Sequence, residues 1–92
     1  MKLIEYGNGM VNLNSGYFFE VTAKRDSKDV ISCWLEGPGR DLFLFSCESE
    51  EDAKKFKKIF FNKLYDFYMD KERNTMNLSI AIHDTIEELL GG

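Results

Sequence analysis

His83, the chain's single histidine, is followed by Asp84 and, one helical turn on, by Glu87. Paired with a thiol, it could act as the base of a nucleophilic site. Cys33 and Cys47 are the only thiols, and both fall inside strand-like stretches with no spacing relation to His83, so hydrolytic Cys–His–Asp chemistry is not expected. His83 and Glu87 alone would leave a metal shell incomplete. The simpler reading is an exposed helical histidine near carboxylates and two small buried hydrophobes. Gly7-Asn8-Gly9 and Gly37-Pro38-Gly39-Arg40 are glycine-rich, but neither leads into a helix, so they read as turns rather than phosphate cradles. The residues thus point to no catalytic group, no metal and no cofactor.

Two other sets of side chains bear on function. Lys54, Lys55, Lys57, Lys58 and Lys63 crowd one segment with aromatics among them, a mixture able to follow a phosphate backbone while rings stack on bases. Glu48, Glu50, Glu51 and Asp52 lie immediately upstream and cancel much of that field. A solvated helix face is the first reading of these lysines, and nucleic-acid contact is the alternative. The second set is a surplus of aromatic surface: Phe61, Tyr65 and Tyr68 in the same segment, with Phe18 and Trp34 upstream. Such side chains dominate protein interfaces, so they are the candidate interaction surface.

The element that must position both sets runs from Ser49 to about Glu72. Ser49 is a helix N-cap, followed by three carboxylates at the positive end of the helix dipole. Ala53, Phe56, Phe60, Leu64 and Phe67 then recur at helical spacing and form one apolar stripe. Phe61, Tyr65 and Tyr68 fall on its shoulder. Upstream, short strand-like pieces at 2–6 and 10–13 flank the Gly7–Gly9 turn. Alternation over Tyr17–Arg25, a β-branched and aromatic run over Val30–Glu36, and Asp41–Cys47 supply further strands. Gly37-Pro38-Gly39-Arg40 carries the residues of a type II turn. Short connections predict an antiparallel meander. The strand over 30–36 has Ile31, Cys33 and Leu35 on one face and Trp34 on the other. Trp34 shares its face with Phe18 and with either Leu42/Leu44 or Phe43/Phe45. Toward the C-terminus, Leu78, Ile82, Ile86, Leu89 and Leu90 fit a helix over about 78–90 capped by Asn77, with a strand over 76–82 as the competing reading.

The expected fold is therefore α+β in a single domain spanning 1–92. About four antiparallel strands over residues ~2–47 carry a long helix (~49–72) on one face, followed by a second helix (~78–90). With 92 residues the chain holds one core. Hydrophobic residues make up 43% and proline occurs once, a composition that folds. Sixteen acidic against 12 basic residues give a net charge of −4, which disfavours general nucleic-acid or anionic-membrane binding. No apolar run reaches membrane-spanning length, and the N-terminal MKLIEYGNG does not read as a signal peptide. A cytoplasmic location with reduced thiols is expected. In the 30–36/41–47 hairpin, Cys47 pairs near Val30 and away from Cys33, so no disulfide is expected.

VNLNSGYFFEV, the hairpin, and LFSCESEEDAKKFKKIF together resemble an arrangement found in small uncharacterised bacterial and phage proteins. In these, a β-meander leads through a Ser/Glu-rich cap into an amphipathic helix. The chain is also similar in element types to small acidic phage inhibitors of bacterial defence. The resemblance covers residues 10–64 and implies a bacterial or phage origin and a protein-binding role. It transfers no site residue. The reading is a small non-enzymatic interaction protein that forms a homodimer through its leftover aromatic surface.

Overall fold

A computed structural model of the protein describes residues 1–13, 19–37 and 40–91. Phe18, Pro38 and Gly39 lie outside the described residues, and with them Phe18's place in the candidate surface and the type II turn. The elements are β1 (Leu3–Tyr6), β2 (Gly9–Asn12), β3 (Glu20–Ser27), β4 (Val30–Gly37), β5 (Arg40–Cys47), α1 (Glu50–Met69), β6 (Thr75–Asn77) and α2 (Leu78–Gly91).

The α+β class, the meander, the long helix and the C-terminal helix are all present. The strands divide into two three-stranded sheets, ordered β3-β4-β5 and β2-β1-β6. The first is the antiparallel meander. In the second, β1 and β2 form a hairpin while β6 pairs parallel to β1. Parallel pairing needs a long crossover, and the chain between β1 and β6 contains the whole meander and α1. Residues 76–82 divide between the two readings open to them. Met76 is buried in β6, and Asn77 then caps α2 by accepting from the Ile80 N–H at 3.1 Å.

Gly7 sits at a φ of +51° in the two-residue turn between β1 and β2, at the first central position, which primed hairpin turns reserve for glycine. Gly37 is needed for a different reason. A Cβ there would lie 2.5 Å from the Phe19 ring, which packs directly on the strand backbone.

α1 begins as the sequence dictates. Ser49 Oγ accepts from the Asp52 N–H at 3.3 Å, with Glu50, Glu51 and Asp52 in the first turn. It ends at Met69 rather than near Glu72: Asp70 is the C-cap, and its Oδ1 accepts from the Glu72 N–H at 2.9 Å. That turn breaks the helix and sends the chain back to β6. The last turn of α1 contains no basic residue. Lys2 supplies the cation from the other end of the chain, its buried Nζ donating to the carbonyls of Asp70 and Arg73 and lying 5.1 Å from the Phe67 ring centroid. The helix C-terminus is where a positive charge is favourable.

α1 lies across the meander on the face of Ile31, Cys33 and Leu35. Ala53, Phe56, Phe60, Leu64 and Phe67, the five stripe residues, are all buried. Phe56 is the centre of a ring stack, parallel to Phe45 at 4.5 Å and to Phe60 at 5.9 Å. A β-bulge lies between Cys33↔Phe45 and Trp34↔Phe43 and leaves Leu44 without a pairing partner. It resolves the open question of the second face. Leu42, Leu44 and Phe45 all join the core while Phe43 turns outward. An unbulged strand would have sent one of these sets to the wrong side.

Candidate interaction surface

With its core stripe against the sheet, α1 has two flanks. α2 covers one of them, where Ile59 and Lys63 face Asp84, Glu87 and Glu88, and Lys63 forms an ion pair with Glu88. α2 buries Leu78, Ala81 and Thr85, with Ile82, Ile86 and Leu89 partly covered. Leu90, expected on that face, is instead 81% exposed at the helix end. Thr85 fits its buried position by donating its hydroxyl to the Ala81 carbonyl at 2.7 Å.

The other flank is open. Phe61 (50%), Tyr65 (54%) and Tyr68 (47%) are exposed, and Met69 (56%) extends the same row one turn beyond Tyr65. The Phe61 and Tyr65 rings are stacked at 6.4 Å, 26° from parallel. Met69 was legible from its i,i+4 spacing to Tyr65 but is absent from the sequence-derived set.

Trp34 is not part of this row. It lies on the face of the meander opposite α1, half-buried, edge-on to Phe43 at 5.4 Å, with its Nε1–H donating to Ser32 Oγ at 2.8 Å. Beside it on that face, Lys24 is ion-paired with Glu36. The Lys24 hydrogen bond holds the Glu36 carboxyl below the usual carboxylate range, and Glu36 in turn raises Lys24. Trp34 thus has its polar and aromatic partners within its own sheet. Of the four candidate aromatics among the described residues, Trp34 falls on a different surface, and Phe61, Tyr65 and Tyr68 are brought together.

The lysines are also divided. Lys55 pairs with Glu51 at 3.3 Å and Lys63 with Glu88 on the α2 side. Lys54 and Lys57 line a shallow groove of about 260 Å³ between α1 and β3, floored by Ala23, Ile31 and Ala53, with the Arg25–Glu50 ion pair at its edge. Lys54, Lys57 and Lys58 have no ion-pair partner among the described residues. They continue the aromatic row toward the helix N-terminus.

His83 is exposed and 2.9 Å from Glu87. No three His, Cys, Asp or Glu side chains gather into a metal-binding group among the described residues. Cys33 and Cys47 are both free thiols, Cys47 pairing with Ile31 and Cys33 with Phe45, two residues apart along the hairpin. Cys33 is fully buried with its S–H directed at the Ala53 carbonyl, and burial pushes its pKa up to about 11, the nearby Cys47 adding to the shift. At pH 8 its thiolate fraction is roughly two orders of magnitude below that of an ordinary cysteine. In the folded protein Cys47 is therefore expected to react with an aromatic disulfide reagent first, with Cys33 modified only at the rate of unfolding. Equal rates at both thiols would contradict this placement.

No helix among the described residues is long and apolar enough to cross a membrane. No family model, curated protein or solved structure matches the chain.

Proposed function

We propose that the protein is a small non-enzymatic interaction module whose working surface is the open flank of α1. One observation carries the reading: a contiguous row of four large side chains, each about half exposed, on a helix whose opposite face is fully packed. At roughly 100 Å² of accessible surface each, they make a patch near 400 Å², in the size range where apolar surface on a monomer is functional. Tyr and Phe on a rigid helix lose little conformational freedom on docking, and the tyrosine hydroxyls tolerate water when the surface is free.

Photo-crosslinking tests this. With a benzophenone-bearing phenylalanine replacing Tyr65, efficient cross-linking to a protein is expected, whether a second copy or another chain. The same group replacing His83, which is also exposed, on α2, should give little. Equal yields at both positions would remove the assignment.

Nucleic-acid binding is the second reading, supported by Lys54, Lys57 and Lys58 lying in line with Phe61. It predicts affinity for single strands that falls steeply with salt. The neighbouring Glu50 and Glu51 weaken that field, and interaction with protein remains the better account.

A further inference from the structure

We infer that the occupant of this flank is a second copy of the chain, its α1 packed antiparallel on the first about a two-fold axis level with the turn between Phe61 and Tyr65. The inference rests on the interaction reading above and names the partner.

The argument is one of self-complementarity. A two-fold interface places each residue of a patch against a different residue of the same patch, reciprocally. The open flank is polar in a way that suits this. Its N-terminal half carries Lys54 and Lys58, exposed and without ion-pair partners among the described residues, and its C-terminal half carries Tyr65, Tyr68 and Met69. Antiparallel packing centred between Phe61 and Tyr65 lays each Phe61 on the other copy's Tyr65. It also brings each Lys58 onto the face of the other copy's Tyr68, a cation–π arrangement. Parallel packing would instead set Lys54 against Lys54 and Lys58 against Lys58, which is repulsive.

The area sets the strength. About 400 Å² of large apolar side chain per copy, plus lysine stems, is below the roughly 800 Å² per partner of a standard interface. The dimer should be weak, with a Kd on the order of ten micromolar.

The test is a charge rescue read by sedimentation equilibrium over about 1–500 µM. Lys58 and Tyr68 are ten residues apart, about 15 Å along the same helix, and cannot contact each other within one chain. Tyr68→Lys should weaken the dimer at least tenfold by facing the other copy's Lys58. Adding Lys58→Glu should restore affinity to within a few-fold of wild type, and the restoration should fade in high salt. Both positions are exposed, and unchanged thermal midpoints will confirm that the variants fold. A double variant no tighter than Tyr68→Lys alone overturns the antiparallel register. A wild-type chain that stays monomeric throughout overturns the second copy as partner; cross-linking of position 65 to a different protein would then leave the interaction reading standing.

Discussion

Replacing Phe56 with alanine is expected to lower the thermal midpoint by about 15–30 °C, measured by circular dichroism. Phe56 has no exposed surface and is stacked on both sides, against Phe45 of β5 and Phe60 one turn on. Removing a buried phenylalanine costs about 3–5 kcal/mol, the transfer of the ring plus the cavity it leaves. A domain of this size has about 5–14 kcal/mol in total, so one substitution takes a large share, and each kcal/mol moves the midpoint by about 4–8 °C. Phe56→Leu keeps most of the volume and should cost less than half as much. Phe61→Ala, on the open flank, should leave the midpoint within a few degrees. If Phe61→Ala were as damaging as Phe56→Ala, α1 would be rotated relative to the packing described.

The second large effect is expected at Lys2. Among the described residues, its ammonium is the cation that chain folding rather than local sequence brings to the C-terminus of α1, and it donates to two carbonyls in a part-buried site. Lys2→Met keeps much of the apolar stem but leaves the Asp70 and Arg73 carbonyls unpaired there, a loss of about 2–3 kcal/mol. Denaturant unfolding would show it as a lower midpoint with an unchanged slope. An effect below about 0.5 kcal/mol would mean that water replaces the ammonium without penalty.

The same corner has a pH signature. The Asp70 carboxyl is held below the usual range, first by the Glu72 backbone N–H and then by the Arg73 N–H and the charges of Lys2 and Arg73. Glu36 is depressed on the sheet by Lys24. Lowered carboxyl values mean that the unfolded chain binds protons first, so both groups stabilise the fold above the ordinary carboxylate range, and that contribution is lost as pH falls through their folded values. Asp70→Asn should flatten the acid limb of a stability–pH profile measured between pH 2 and 6. An acid limb as steep as wild type would place the titration elsewhere.

The start and the core stripe of the long helix were legible in the sequence, while its end at Met69 was not. Its cap, acidic first turn and five-residue core stripe are local properties, set by short-range hydrogen bonding and a 3.6-residue period, and every stripe residue is buried. The exposed row on its shoulder was legible as a geometric set, because Phe61, Tyr65 and Tyr68 follow from the same period. Whether that row was covered was not legible. It depended on which flank α2 chose, and α2 packs on the side where Lys63 can meet Glu88. Trp34 and the α1 row were grouped from sequence because both are aromatic surplus. Alternation along β4 assigns Trp34 to the face away from Cys33, but only the docking of α1 on the Cys33 face decides that the two sets lie on different surfaces. The bulge at Leu44 likewise has no local signature, since a single unpaired residue in an apolar run keeps the same composition. The parallel β6–β1 pair and the Lys2 clamp join residues about seventy positions apart. Periodicity extends over a few turns at most, so contacts of that range are set by the tertiary structure, through the burial of Ile4, Met76 and Phe67 together in one core.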